Sequence, residues 1–164
     1  MIQLTLPDGS TRSFAQHLTA KEVCSSIGEG LSKAMLAAEV NGKIVDSSTL
    51  ITEDSKFRII TAKDKEGLEI IRHSTAHLMA QAVKQLYPQA QVTIGPVIED
   101  GFYYDFHYPA GFNEADLEKI EERMAELVEE KIDIVRDVIS YDDAMNYFNS
   151  VSYTHLTLPT IRTV

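Results

Sequence analysis

Residues 37–46 read AAEVNGKIVD, and Asn41-Gly42 stands between two short strand-like segments. Asn-Gly is the strongest short-range signal for a β-hairpin, because both residues tolerate the positive φ angles of a type I′ turn. A second hairpin is predicted at the N-terminus, where Pro7-Asp8-Gly9 separates an alternating segment, residues 2–6, from residues 11–14. The first forty-six residues are therefore expected to be rich in antiparallel strands.

One helix and one further strand complete this first module. Thr19 is a plausible N-cap for a helix over residues 20–27, with Glu22 in the capping-box position and Gly28 and Gly30 expected to end the helix. A closing strand is predicted over residues 56–61. The order hairpin, helix, hairpin, strand predicts an α+β fold whose domain 1–62 has a β-grasp layout. A carrier role is rejected because the chain runs on into charged residues instead of ending in Gly-Gly, which leaves a plain interaction module.

The next segment is predicted to be one helix that carries two histidines. Residues 65–86 repeat apolar positions at helical spacing until Pro88, along Leu68, Ile71, Thr75, Met79, Ala82 and Leu86. His73 and His77 lie four residues apart on another face. The bland interpretation is two solvent-facing histidines. Alternatively, such a pair binds a metal, positions a water or orients a sugar hydroxyl.

Metal and protease chemistry are both disfavoured for this pair. A zinc protease motif needs Glu directly after the first histidine, and that position is Ser74. A closed zinc site needs about two more ligands, and the sequence supplies no CxxC and no second HxxxH. We therefore predict no metal site within this chain.

An aromatic hairpin is predicted downstream of the helix. Residues 91–98 and 102–106 read as strands around a turn at Asp100-Gly101. Alternation places Phe102, Tyr104 and Phe106 on one face and Tyr103 with Asp105 on the other. These aromatic side chains are expected either in the core or, through a polar tyrosine tip, in a cleft beside the histidine helix.

The last third of the chain is strongly acidic. Asn113 is predicted to cap a helix over residues 114–131 with an apolar stripe of Leu117, Ile120, Met124, Leu127 and Val128. A strand over 132–139 and a short helix after Ser140, through Phe148, are expected to follow. Residues 113–149 hold 12 acids and 4 bases, a balance of −8 within a total of −10. This negative charge excludes the class of proteins that bind nucleic acid through a large net positive charge.

The cysteine count and the hydropathy of the sequence indicate the cellular compartment in which the protein is expected. Cys24 is the single cysteine, so no internal disulfide is possible and a reducing compartment is favoured. No apolar run approaches the roughly 18 residues that a membrane-spanning helix needs. We therefore expect a cytoplasmic location and no membrane partner.

Two strings go beyond general pattern, ITAKDKEGLEIIRHSTAHLMAQAVKQLYP at residues 60–88 and IGPVIEDGFYYDF at residues 94–106. Together with the first module, they resemble the N-terminal region of bacterial threonyl-tRNA synthetases over residues 1–149. In that family a TGS β-grasp domain precedes an editing domain that hydrolyses Ser-tRNA(Thr). The family needs this second site because one methyl group discriminates serine from threonine by only about 1–3 kcal/mol.

The resemblance implies roles for four residues. His73 and His77 match residues that line the editing site near the terminal ribose and help to place the attacking water. Gly95 and Tyr104 match the pocket wall that binds the substrate. Other parts of the family's editing pocket, a Lys, an Asp and a Cys-xxx-His element, have no match here, so residues 63–149 are expected to be a truncated editing domain that exposes apolar surface and aggregates or is partly disordered.

The resemblance also implies the setting of the parent enzyme. The parent is a class II threonine–tRNA ligase that uses ATP with Mg²⁺, holds Zn²⁺ in a catalytic core, acts on threonine, serine and tRNA(Thr), and forms a homodimer through other domains. No cofactor is expected within this chain, and ligation is not expected of it. Residues 150–164 do not continue the family pattern and are expected to be a non-native tail, so His155 receives no role.

Two alternatives stay open beside the ligase fragment. One is a free-standing TGS module that binds or regulates without catalysis. The other is a small trans-acting aminoacyl-tRNA deacylase related to the alanyl editing domains, which share the HxxxH pattern.

Overall fold

The computed structural model describes residues 1–132 and 135–150, with no account of the side chains of residues 148–150. Residues 151–164 of the predicted tail, His155 among them, lie outside the described residues, and Ser150 is the last residue of a helix. The chain divides into two compact units, the first comprising Met1–Ile71 and the second beginning at Arg72.

The elements of the first unit are β1 (Ile2–Thr5), β2 (Thr11–Phe14), β3 (Leu18–Thr19), α1 (Ala20–Ile27), α2 (Glu29–Ala34), β4 (Met35–Val40), β5 (Lys43–Val45), β6 (Leu50–Ile51) and β7 (Ser55–Thr61). Five of the strands form a mixed sheet in the order β2-β1-β7-β4-β5. Strand β1 pairs antiparallel with β2 and parallel with β7, while β7, β4 and β5 pair antiparallel. Both predicted hairpins and the closing strand are confirmed, whereas the short β3–β6 pair was not predicted.

The Asn41-Gly42 turn adopts the backbone that its sequence predicts. Asn41 has φ 51° and Gly42 has φ 81°, both in the left-handed region. The Asn41 side chain also ties the turn to β7: its Nδ2 donates to Ser55 Oγ at 3.2 Å, and its Oδ1 accepts from the Lys56 N–H at 2.9 Å. These bonds help to fix the register of β4 and β5 against the closing strand.

Helix α1 packs against one face of the sheet and begins at the predicted capping box. The Glu22 N–H donates to Thr19 Oγ1 at 3.2 Å, and the Thr19 N–H donates to Glu22 Oε2 at 2.8 Å. Gly28 ends α1 as predicted, but Gly30 does not, since it lies inside α2. The core under α1 consists of buried apolar side chains, namely Ile2, Leu4, Ala20, Val23, Ala38, Ile51 and Phe57.

The second unit contains most of one long helix, a set of very short strands and two further helices. Its elements are α3 (Lys65–Leu86, whose first two turns belong to the first unit), β8 (Gln91–Val92), β9 (Val97–Ile98), β10 (Gly101–Phe102), β11 (Phe106–His107), α4 (Glu114–Glu129) and α5 (Tyr141–Ser150). The helix predicted over residues 65–86 is confirmed. The predicted strands 91–98 and 102–106 are each interrupted, so β9 pairs with β10 and β8 pairs with β11.

The strand predicted over residues 132–139 is wrong for the described part of that range. Residues 135–139 form neither helix nor strand, and residues 133–134 lie outside the described residues. Val135 and Val138 are exposed, and a β-rich sequence forms a strand only when a neighbouring strand accepts its hydrogen bonds and buries one face. The helix expected after Ser140 forms at Tyr141 as α5.

The predicted apolar stripes of α3 and α4 are only partly buried. Leu117 and Val128 of α4 are 60% and 58% exposed, and Leu68 and Leu86 of α3 are also exposed. The buried apolar side chains of α3 are instead those of Ala76, Ala80, Ala82 and Val83. Small side chains let neighbouring segments of the chain approach the helix closely. A search for large apolar residues does not detect such buried positions. The core cluster of this unit contains Ala82, Val83, Ala90, Ile120 and Leu127.

A partly buried hydrogen bond joins α4 to the residue that follows α3. The Tyr87 hydroxyl donates to Asp116 Oδ1 at 2.8 Å, while Asp116 also closes a capping box with Asn113. Burial, followed by this bond, raises the pKa of Tyr87 to about 12. The bond from Tyr87, with the Asn113 backbone bond after it, lowers the pKa of Asp116. Asp116 therefore stays ionised although little of it is exposed.

The start of α3 is attached to the sheet of the first unit. Arg58 on β7 forms ion pairs with Glu39 at 2.6 Å, Glu66 at 2.8 Å and Asp64 at 3.4 Å. A Cβ atom on Gly67 would lie 1.8 Å from the carbonyl oxygen of Thr61, so only glycine permits this approach of helix and strand. The first turn of α3 is thereby fixed before the helix reaches its histidines.

Replacing Phe57 by alanine should destabilise the first unit. Phe57 is buried at the centre of the core, and removing a buried phenylalanine ring costs about 3–5 kcal/mol of unfolding free energy. Urea unfolding followed by far-ultraviolet circular dichroism measures the change. The control is Leu50→Ala, because Leu50 is 53% exposed and should lose much less. Equal losses in the two variants would contradict this assignment of the core.

Candidate functional site

The candidate site begins with two histidines one helical turn apart on α3. Their Nε2 atoms lie 2.9 Å apart, and the ring centroids lie 4.5 Å apart with the planes at 78°. His73 is exposed and His77 is half-buried. The bland interpretation of two solvent-facing histidines is therefore wrong for His77, because part of that ring is withdrawn from water.

The buried edge of His77 determines how the pair shares its protons. Among the described residues, His77 Nδ1 is buried without a hydrogen-bond partner. Burial, with the neighbouring His73 as a second cause, lowers the pKa of His77, which keeps the ring neutral near pH 7. An unpaired buried N–H is rarer in proteins than an unpaired acceptor, so we assign the proton of His77 to Nε2, from which it donates to His73.

A glycine and a tyrosine meet in the hairpin that follows α3. A Cβ atom at Gly95 would lie 2.1 Å from Cδ2 of Tyr104, which is far inside van der Waals contact. The Tyr104 ring therefore lies directly on the backbone of Gly95. Its other neighbour is Phe106, with ring centroids 4.9 Å apart and planes at 23°. The structure brings together the two residues expected to form a pocket wall.

Backbone hydrogen bonds continue the hairpin between its short strands. The Asp105 N–H donates to the Ile94 carbonyl at 3.1 Å, and the Tyr103 N–H donates to the Pro96 carbonyl at 3.3 Å. The Thr93 hydroxyl adds a bond of 2.6 Å to the Asp105 carbonyl. The predicted alternation survives the interruptions, since Phe102, Tyr104 and Phe106 are partly buried, whereas Tyr103 and Asp105 are exposed.

Sequence reasoning missed one residue that connects the helix to this hairpin. Arg72, directly before His73, donates from Nη1 to the carbonyl of Ile98 at 3.3 Å and to the carbonyl of Glu99. Its signal in the sequence is only a basic residue beside a histidine. The helical turn that carries His73 is thus bonded to the hairpin that carries Gly95 and Tyr104.

Neither a metal centre nor a membrane helix is found in the part of the chain that the structure describes. Within residues 1–132 and 135–150, no group of three or more His, Cys, Asp or Glu side chains is placed to hold a metal ion. None of the described helices is long and apolar enough to span a bilayer.

Comparisons with known proteins identify the first unit and relate the chain to one group of enzymes. Residues 2–61 are a TGS domain. The chain is 58% identical over 151 residues to the threonine–tRNA ligase of Acidovorax sp. (strain JS42), covering 92% of this chain and 24% of the relative. It is 60% identical over 148 residues to the threonine–tRNA ligase of Methylobacillus flagellatus, covering 90% and 23%. The chain thus spans about a quarter of the length of the curated relatives it matches.

Replacing Gly95 by alanine should displace the Tyr104 ring. The added methyl group overlaps the ring, and such overpacking costs about 1–3 kcal/mol. The measurement is the set of nuclear Overhauser contacts between the Tyr104 and Phe106 rings, which should weaken or disappear. Gly30→Ala is the control, because a Cβ atom there has no neighbour within 4 Å. Unchanged ring contacts in Gly95→Ala would contradict the close packing.

The ring of His77 should titrate below the ordinary histidine value of 6.5. Between the folded and unfolded pKa values the unfolded chain binds more protons, so the contribution of His77 to stability is present above pH 6.5 and is lost on acidification. Histidine NMR titration measures the pKa. In His73→Ala burial remains the main cause, so the pKa of His77 should recover only in part. Full recovery would show that burial is not the main cause.

Proposed function

We propose that this chain is the N-terminal part of a threonine–tRNA ligase and that its second unit is the first part of the editing domain. On this proposal, His73 and His77 bind the terminal adenosine of mischarged Ser-tRNA(Thr), and Gly95 with Tyr104 forms a wall of the same pocket. The observation that carries the proposal is the 2.9 Å contact between the two Nε2 atoms, with one ring kept neutral by burial. The similarity to threonine–tRNA ligases supports it.

Two neutral imidazoles suit hydrolysis of an ester. A water oxygen attacks the seryl carbonyl carbon, the bond from that carbon to the ribose oxygen breaks, and the water's proton is passed on so that the ribose hydroxyl leaves neutral. With His77 donating from Nε2 to His73 and its own Nδ1 buried, the free polar edge of the pair is the Nδ1–H of His73, which donates to a ribose hydroxyl. Opening of the bond between the rings frees His73 Nε2 to accept a hydrogen bond from the water. Holding water and ester in the reacting geometry is the main contribution expected of such a site.

A second, hydrolytic site is useful because the synthetic site alone discriminates poorly between threonine and serine. Threonine differs from serine by one methyl group, and a pocket converts that difference into only about 1–3 kcal/mol. Hydrolysis of the wrong product removes serine after it has been attached. The substrates of the parent enzyme would then be threonine, ATP with Mg²⁺ and tRNA(Thr), with serine as the rejected amino acid.

The remaining features of the parent fall outside the residues of this chain. The class II core with its zinc ion, the surface that forms a homodimer and the rest of the editing pocket are all assigned to other parts of the parent. A cytoplasmic location follows from its role in protein synthesis. For this chain the proposal assigns binding of the aminoacylated adenosine and leaves its own rate of hydrolysis to experiment.

Binding of a stable substrate analogue tests the site. The probe is 3′-deoxy-3′-(seryl)amino-adenosine, in which an amide replaces the reactive ester. Adding it to the chain should shift the NMR signals of His73, His77 and Tyr104, and His73→Ala should weaken binding by up to about tenfold, the upper end for loss of one hydrogen bond between neutral groups. His17→Ala, at an exposed histidine of the first unit, should bind as the wild type does. Saturable shifts confined to other residues would refute the site.

A hydrolysis assay separates the two alternatives. The wild-type chain and His73→Ala are incubated with Ser-tRNA(Thr). Hydrolysis that the variant loses supports a trans-acting deacylase complete in this chain. Analogue binding without hydrolysis supports part of an editing site, whereas neither binding nor hydrolysis supports a TGS module that binds or regulates without catalysis.

A further inference from the structure

The hairpin that carries the proposed pocket wall has few backbone pairs at its tip. Strands β9 and β10 share only two residue pairs, Ile98 with Gly101 and Val97 with Phe102. Ile94 is 69% exposed and Tyr103 is 52% exposed. A hairpin this short is marginal in water, and segments with few buried contacts open locally at low free-energy cost. The remaining hydrogen bonds of the hairpin lie further from the tip, so a contact made at the tip itself restricts the part that has the fewest pairs.

The contact from Arg72 reaches the hairpin at its tip. The acceptors are the carbonyls of Ile98, the last residue of β9, and of Glu99, the first residue of the turn. Both bonds come from one charged nitrogen, and hydrogen bonds from a charged donor are stronger than bonds between neutral groups. Two bonds to successive carbonyls restrict both the position and the direction of the turn.

We infer that Arg72 is a positioning residue, which holds the hairpin with Gly95 and Tyr104 against the helical turn with His73. The step from this attachment to substrate binding rests on the proposed function. Arg72 is adjacent to His73 in the sequence, so one turn of α3 presents a ring nitrogen and fixes the hairpin tip. Arg72 itself contacts backbone carbonyls and none of the groups proposed to bind the substrate, so it acts through the hairpin.

The variants distinguish the attachment from a general effect of charge. Arg72→Ala removes both hydrogen bonds. Arg72→Lys keeps a positive charge and an N–H donor on a shorter side chain, so it should restore part of the attachment. Lys65→Ala removes an equal charge from an exposed position of the same helix and serves as the matched control.

Two measurements on the whole chain test the inference. The first is hydrogen exchange of the Tyr103 amide, which donates to Pro96 within the hairpin. Exchange should become about tenfold faster in Arg72→Ala, the loss expected for hydrogen bonds from a charged group, with the Val83 amide of α3 unchanged. The second is the dissociation constant of the seryl-amino-adenosine analogue, which should rise about tenfold. Arg72→Lys should recover much of both losses, and Lys65→Ala should show neither.

The outcomes separate this inference from the proposed function. Unchanged exchange at Tyr103 in Arg72→Ala would overturn the attachment. Faster exchange with unchanged analogue affinity would overturn the positioning role. If the wild-type chain does not bind the analogue, the proposed function fails, and the exchange measurement alone then decides whether Arg72 holds the hairpin.

Discussion

The hydrogen bond between the Nε2 atoms of His73 and His77 is the constraint on which the site depends. A direct bond between two imidazoles requires one ring to donate and the other to accept, so the pair cannot be fully protonated and remain in place. Partial burial of His77 favours the neutral form and so protects the bond. The i, i+4 spacing provides the distance, but the environment around the second ring provides the protonation state.

Helix α3 carries both histidines and is attached to other elements near each of its ends. Its first turn is fixed by Arg58 and by the close approach of Gly67 to β7, and its last turn leads to the partly buried bond between Tyr87 and Asp116. Between these ends the helix is unbroken. Each end of the helix is therefore attached within its own unit, and the histidines lie in the second unit.

Much of the fold was predictable because it depends on local chemistry. The Asn41-Gly42 turn, the Thr19 capping box and the extent of α3 follow from φ preferences, side-chain caps and helical periodicity, all of which act within a few residues. The features that the sequence did not predict correctly depend on residues that are close in space but distant in sequence. The strand predicted over residues 132–139 finds no pairing partner in its described part, and the buried side of α3 is lined by alanines whose burial depends on what packs against them.

For the candidate site, the sequence predicted which residues lie in contact within each pair better than the chemical environment of each pair. The spacing placed the histidines on one face, and the resemblance suggested Gly95 and Tyr104, which the structure brings into contact with each other. Neither could reveal the buried Nδ1 of His77 or the bond from Arg72 to the hairpin tip, since both depend on chain distant in sequence. The roles of the four residues remain proposals that the experiments above decide.

The approach of Gly67 to the Thr61 carbonyl has a consequence for protein engineering. The atom nearest to a Cβ at position 67 is a backbone oxygen, which has no alternative rotamer and cannot move aside for a larger side chain. A chimaera that joins this TGS domain to a foreign helix must therefore import the glycine together with the strand. Without it the graft would begin at a different angle, however well the two parts fold separately.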